Sequence, residues 1–244
     1  MMNCAASVSV IMPAAGSGQR FGSQSNKLFA VLDGKPLWQH AVDRFQHRGD
    51  VRQIVLAISE EDDSTFREQI AAISSAVPIH LVRGGATRSE SVRAALDQVQ
   101  KFAAESASNG TATKTLVAIH DAARPLVRQV DLDRVFAKAA ETGAAILAAP
   151  VSGTLKRATS HGSDTVDRRH TYVALTPQVF AIDVICQAYA RDRGRMATDD
   201  AQLVERTSHP VQLVTGSADN LKITFPEDLR IAEAILNECR SEFA

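Results

Sequence analysis

The 244-residue chain has little cysteine: Cys4, Cys186 and Cys239 only, far apart and odd in number. That spacing supplies no metal-ligand set and argues against the disulfide framework of a secreted domain. Charge imbalance is also missing, since 27 basic residues face 28 acidic ones for a net charge of −1. Without a global field, nucleic acid and anionic membrane are excluded as bulk partners, and any anion binding has to be local. No apolar run is long enough to span a bilayer. The first apolar stretch ends at Pro13 and lacks a basic lead, too short for a signal peptide. Asn109-Gly110-Thr111 has the form of a glycosylation sequon, but without secretion it reads as a polar loop. The expectation is a protein of the cytoplasm. Internal repeats and low-complexity tracts are absent, and so is any His or Ser constellation suited to nucleophilic catalysis.

What is present is 45% hydrophobic content, enough for one substantial core. Strands are expected at Val8 to Met12, Gln53 to Ile58, Ile79 to Val82, Leu116 to Ile119, Ala144 to Ala149 and Val211 to Val214. Helical periodicity falls between them: after Pro36, around Ser64 to Ser74, through Val92, Leu96 and Val99, and from Asp131 to Thr142. Further helices are expected from Pro177 to about Asp192, after the cap Thr198-Asp199-Asp200, and after Pro226, with Glu105 to Lys114 as a surface loop. Such alternation implies right-handed crossovers and a Rossmann-like α/β fold, a mostly parallel sheet with helices on both faces. The pattern breaks after Pro150. Thr154 to Ala158 and Thr165 to Arg169 are short, polar and alternating, and flank a turn at Ser160 to Asp164. They suit a protruding hairpin, whose unpaired edges are a liability unless a second subunit covers them.

Chemistry concentrates at Pro13-Ala14-Ala15-Gly16-Ser17-Gly18-Gln19-Arg20, with Lys27 beyond. Small residues let backbone N–H groups approach an anion, and Arg20 and Lys27 bring balancing charge. The spacing fits neither a Walker loop nor a dinucleotide fingerprint, where Phe21 occupies the place of the third glycine. For the glycines alone, a plain strand-to-helix turn is an equal reading. Gly84-Gly85 to Ser91-Val92 forms a second such junction, expected on a strand adjacent to the first; its serine is open to both ligand binding and helix capping. Asp121, at the carboxyl end of a buried strand, is placed to hold Mg²⁺ or to cap the turn that follows it. His120 reads as a structural histidine. Lys222, between Leu221 and Ile223, turns the opposite way from them if the segment is an alternating strand. The hairpin's Thr154, Lys156, Arg157, Arg168 and Arg169 serve either a ligand or edge protection.

These motifs, followed in order by His120-Asp121-Ala122-Ala123-Arg124-Pro125, Ala174 to Gln178, Thr198-Asp199 and Ala218 to Thr224, resemble the 2-C-methyl-D-erythritol 4-phosphate cytidylyltransferase family from about Val8 to Leu236. The resemblance implies one nucleotidyltransferase domain over 1–244, with 151–172 a dimerisation arm exchanged between two subunits. It implies CTP, an alditol phosphate and a divalent metal, usually Mg²⁺, near Asp121. Arg20, Lys27, Arg168 and Lys222 are then catalytic. Ala14, Ala15, Gly16, Gly18, Gly85, Ser91 and Asp121 bind nucleotide, while Arg124, Thr154, Arg168, Thr176, Thr198 and Asp219 bind the acceptor, with the partner's arm contributing. Asn26 departs from the family's usual proline, so a less rigid approach to Lys27 is expected. The second enzyme fused to some members is expected to be absent. Rival readings are a ribitol 5-phosphate cytidylyltransferase and a regulatory module that binds nucleotide without transfer; the acceptor-side cations speak against the second.

Overall fold

The computed structural model describes residues 6–16, 21, 26–108 and 114–241, with only the backbone of 107, 108 and 239–241. Gly18, Arg20, Cys4 and the sequon at Asn109 lie outside the described residues.

The chain opens with β1 (Ser7–Pro13), a 3₁₀ turn (Lys27–Phe29) and a small ribbon, β2 (Val31–Leu32) and β3 (Lys35–Pro36). Then follow α1 (Leu37–Asp43), β4 (Val51–Ile58), α2 (Asp63–Ala71), β5 (Ile79–Arg83), α3 (Arg88–Ser108), β6 (Thr115–Ile119) and α4 (Gln129–Thr142). The second half holds β7 (Ala144–Pro150), β8 (Leu155–Thr159), β9 (Gly162–Val166), β10 (Tyr172–Ala181), α5 (Ile182–Arg191), α6 (Asp200–Glu205), β11 (Gln212–Thr215) and α7 (Glu227–Ser241). Among the described residues no helix is long and apolar enough to cross a membrane.

Seven strands form one sheet in the order β11-β7-β10-β6-β1-β4-β5, parallel except that β10 runs against both neighbours. The chain winds from β1 to one edge through β4 and β5, then returns to the other side of β1 as β6. A crevice therefore opens at the carboxyl ends of β1 and β6, where open α/β sheets bind ligands. Burial on both faces explains the apolar strands. Val8, Val10 and Met12 pack with Ile54, Leu56 and the α4 residues Leu132, Val135 and Phe136. The alternate residues Ile11, Val55 and Ala57 pack on the other side with Val92, Leu96 and Val99 of α3 and Ile185 of α5. Helix α4 ends where Gly143 takes φ 85°, a left-handed value glycine tolerates, and its N–H donates to Ala139 O.

Four expectations need correction. The segment after Pro177 is not a helix at first: Tyr172–Ala181 is a sheet strand, paired to both β6 and β7, and the helix starts only at Ile182. Helix α3 continues to Ser108, through the first residues of the segment expected from Glu105 as a surface loop. The hairpin is tighter than expected, pairing Thr159 with Gly162 and Leu155 with Val166. With almost every arm residue exposed, no burial pattern existed to mark its register. Lastly, β1 and β5 are not adjacent, because β4 lies between them.

Candidate active site

The crevice is a cleft of about 520 Å³, lined by Ala14, Ala15 and Gly16 after β1, Lys27, Gly85 to Arg88 and Ser91 around the start of α3, Asp121 to Ala123 after β6, and Lys222 and Thr224. That volume suits a small molecule. The two glycine junctions meet despite the intervening strand. A Cβ on Gly84 would stand 2.6 Å from Ala15 Cβ and 2.8 Å from Ser91 Oγ, so the bare glycine is what allows the approach. Gly84 N–H also donates to Ile58 O at 2.8 Å, tying the second junction to the end of β4.

Helix α3 opens with a reciprocal cap. Glu90 N–H donates to Thr87 Oγ1 and Thr87 N–H to a Glu90 carboxylate oxygen, both at 3.1 Å. Ser91 lies within the first turn and is buried; its hydroxyl accepts from Gly85 N–H at 3.2 Å and donates to Thr87 O at 3.0 Å. It therefore shapes the loop around Gly85 while lining the cleft. Just beyond, Arg88 reaches across the cleft floor, with Nη1 2.7 Å from Asp200 Oδ2 and Nε 3.3 Å from Asp121 Oδ1. Tyr189 donates its hydroxyl to Asp200 Oδ1 at 2.6 Å. Sequence reasoning missed Arg88, although it lies inside the second glycine motif.

Asp121 is the electrostatic centre. Besides Arg88, it meets Arg124 Nε at 3.3 Å and Lys222 Nζ at 3.0 Å, both at Oδ2. Burial pushes its carboxyl pKa up, but Arg88, Lys222 and Arg124 overrule this and hold it well below the usual carboxylate range. The turn is fixed from behind by Thr176, whose buried hydroxyl accepts from Asp121 N–H at 3.1 Å. His120 points away from the cleft. It is fully buried against Phe45, its Nε2 lies 2.9 Å from Arg124 O and its Nδ1 3.1 Å from Thr176 Oγ1. Burial lowers its pKa to about 4, so it is a neutral structural group.

Lys27 and Lys222 both line the cleft, and the Lys27 ammonium reaches the backbone beside Lys222. Lys27 Nζ donates to Ile223 O at 2.8 Å, while Ile223 itself is buried beneath α7 with Leu32, Leu37 and Leu236. Residues 221–224 form no strand, yet Lys222 lines the cleft and Ile223 faces the core, the alternation anticipated for them. Asn26 is not a loose substitute for proline. Its φ of −58° lies in proline's range, and its side chain makes three hydrogen bonds: from Leu28 N–H, to Ala14 O and to Asp62.

Other predicted residues stand elsewhere. Arg124 supports Asp121 and donates Nη1 to Asn220 O at 2.7 Å; Thr176 lies behind the turn. Asp219 pairs with Arg128 and Ser217, and exposed Thr198 donates its N–H to Gln202; neither lines the cleft. Thr154 and Arg168 are exposed on the arm, where Arg168 donates to Ser152 O, and neither lines this cleft. Thr224, which does line it, was not anticipated; its N–H donates to Asp228 at 2.7 Å, ahead of α7.

Glycine-rich backbone, two lysines and a carboxylate at the switch point of a doubly wound sheet are the equipment of a nucleotidyltransferase. Comparison with known proteins narrows the class. A family profile described as 2-C-methyl-D-erythritol 4-phosphate cytidylyltransferase (IspD) matches residues 8–238. A protein of that name from Rhodopirellula baltica is 91% identical over 99% of this chain and 100% of its own length, and one from Bacillus velezensis is 38% identical over 93% and 94%. The crystal structure of the same-named protein from Thermus thermophilus superposes with a TM-score of 0.71 at 33% identity, covering 94% of this chain and 98% of that one. The chain belongs to the 2-C-methyl-D-erythritol 4-phosphate cytidylyltransferase family, enzymes that transfer a cytidylyl group from CTP to that alditol phosphate.

Proposed function

We propose that the two substrates meet in this cleft: CTP lies along the glycine junctions, and 2-C-methyl-D-erythritol 4-phosphate enters beside Lys222. Ala14, Ala15, Gly16, Gly85 and Ser91 then hold the nucleotide, largely through backbone. Lys27 answers charge on the triphosphate, as does Arg20 by family resemblance. The observation that carries this reading is the convergence of Lys27, Arg88 and Lys222 on a cleft in which Asp121, the one carboxylate of the lining among the described residues, is already encircled by cations.

One acceptor phosphate oxygen attacks the α-phosphorus of CTP. A new P–O bond forms, the bond to the α,β-bridging oxygen breaks, and pyrophosphate departs. A phosphate monoester has its second pKa near ~6, so the nucleophile is already anionic and no general base is needed. The obstacle is repulsion between polyanions together with charge building on the leaving oxygen, and fixed ammonium and guanidinium groups answer both.

Among the described residues no group of three or more His, Cys, Asp or Glu side chains is placed to hold a metal. Asp121 is the cleft carboxylate that would hold a divalent cation together with phosphate oxygens of the nucleotide. Mg²⁺ held there would supply positive charge against the phosphates.

The arm is read as the cover of a neighbouring site. Its two strands form a sheet of their own, and Tyr172 and Val173 at its base are exposed apolar residues. A homodimer in which each arm brings Thr154 and Arg168 to the partner's acceptor satisfies both features, within one domain spanning the chain. The scattered cysteines suit the cytoplasm. The test is pyrophosphate release from CTP with Mg²⁺ and each acceptor in turn. Release with methylerythritol phosphate is the expected result, and release with ribitol 5-phosphate alone overturns the acceptor assignment.

A further inference from the structure

Lys27 follows directly on a side chain that is fastened more heavily than its position requires. Asn26 is 7% exposed, and its amide is used on both sides. Oδ1 accepts from Leu28 N–H at 3.1 Å, while Nδ2 donates to Ala14 O at 3.3 Å and to Asp62 Oδ2 at 2.8 Å. Asp62 is held in turn by Ser59, whose hydroxyl donates to the same oxygen at 2.7 Å. The bonds do different things. The Leu28 bond caps the 3₁₀ turn that carries Lys27. The Ala14 bond fastens that turn to the start of the first glycine junction. The Asp62 bond anchors both to the segment after β4.

We infer that Asn26 and Asp62 form a positioning clip, which sets the Lys27 ammonium in register with the Ala14–Gly16 backbone across the nucleotide cleft. The clip rests on the role given to Lys27 above. A lysine side chain has four rotatable bonds, so the place of the Lys27 ammonium depends on the backbone that launches it as well as on the 2.8 Å bond it donates to Ile223 O. An amide is the group the site needs, because it alone accepts from an N–H and donates to a carbonyl and a carboxylate at once. A carboxylate at 26 keeps the cap on Leu28 but sets oxygen against Ala14 O and charge against Asp62.

Asn26→Asp is therefore expected to fold, to leave the KM for CTP within a fewfold, and to lower kcat about 10- to 100-fold, the scale of an ångström of misplacement. Asp62→Asn in that background returns a donor to face the new carboxylate and is expected to recover part of kcat. The discriminating measurement is a double-mutant cycle with Lys27→Ala. A residue that acts through Lys27 has little left to lose once Lys27 is gone, so the combined loss is expected to match that of Lys27→Ala alone. Full multiplication of the two losses overturns the clip. So does Asn26→Asp at wild-type kcat while Lys27→Ala is inactive, an outcome that leaves the Lys27 role standing. Lys27→Ala at wild-type turnover overturns that role and the clip with it. Should Asn26→Asp melt below the assay temperature, Asp62→Ala is carried through the same cycle under the same criteria.

Discussion

Lys222 Nζ and Arg124 Nε lie 3.0 and 3.3 Å from one oxygen of Asp121, and Arg88 Nε lies 3.3 Å from the other. A carboxylate so engaged holds three cationic side chains in place, and under the proposed function two of them, Arg88 and Lys222, meet an anionic substrate. Asp121→Asn removes one negative charge and leaves those cations in place, so CTP affinity is expected to hold or rise. Turnover is expected to fall, because Arg88 and Lys222 lose their common anchor, and the Mg²⁺ concentration for half-maximal activity is expected to increase. Isothermal titration with CTP and a Mg²⁺ titration of rate check both. Weaker CTP binding with unchanged turnover would contradict the assignment.

The pH profile separates enzyme from substrate. The depressed pKa of Asp121 means that its contribution to stability is complete above the unfolded value of ~4 and is lost only as pH falls below it. The acceptor phosphate passes from dianion to monoanion, taking up one proton, near pH ~6, well before that. The acid limb of kcat/KM for the acceptor is therefore expected near pH ~6 and expected to stay there in Asp121→Asn. A limb that moves with the substitution would show that the enzyme carboxyl, not the acceptor, is titrating.

Lys27→Ala is expected to fold as the wild type, since the aliphatic stem lines a cleft and not the core. Loss of one preorganised charge costs on the order of 10²–10³ in kcat, about 3–4 kcal/mol, with a smaller change in CTP affinity. Arg20→Ala is expected to behave likewise. Steady-state kinetics beside a thermal melt decide, and near-normal kcat in either variant removes that residue from the mechanism.

Much of this site was legible because the glycine junctions, His120-Asp121 and Lys222 are local patterns whose spacing survives folding. Arg88 was not, because its meaning depends on Asp121 and Asp200, which only the sheet topology brings to it. Thr87 and Glu90 did carry a readable cap signature that would have fixed the start of α3 and put Ser91 inside the helix. Strand β10 was hidden for a different reason. Pro177 looks like a helix opener, and pairing to β6 and β7 overrides that preference. The order of β1, β4 and β5 is likewise a property of packing, which no single segment records.

Arm exchange makes a prediction about mixtures. Arg168 is exposed on its own subunit and is not among the residues that line that subunit's cleft, whereas Lys27 lines it. If each site takes Arg168 from the partner, a dimer of one Arg168→Ala and one Lys27→Ala chain assembles one intact site and one doubly defective site. Co-refolding the two inactive variants is then expected to regain about a quarter of wild-type activity: half the dimers are mixed, each with half its sites intact. Sedimentation measures the dimer directly. Absence of recovery in confirmed mixed dimers would assign both residues to the same chain's site.

His120 sets the last expectation, on stability. Its Nε2 faces Arg124 O, which can only accept, so that nitrogen carries the proton and Nδ1 accepts the Thr176 hydroxyl, which leaves the ring neutral. Burial lowers its pKa from 6.5 to about 4. Above pH 6.5 the ring is neutral in both folded and unfolded chains, and its contribution to stability is complete. As pH falls through 6.5 the unfolded chain takes up a proton that the fold refuses, and stability is lost until about pH 4. Between pH 7 and pH 5 this amounts to about 2 kcal/mol. His120→Gln, whose amide can still donate toward Arg124 O, is expected to be less stable at pH 7 but to lose about 2 kcal/mol less than the wild type on going to pH 5. Urea unfolding of both proteins at the two pH values measures the difference. Parallel losses would mean that His120 already carries its charge in the folded chain.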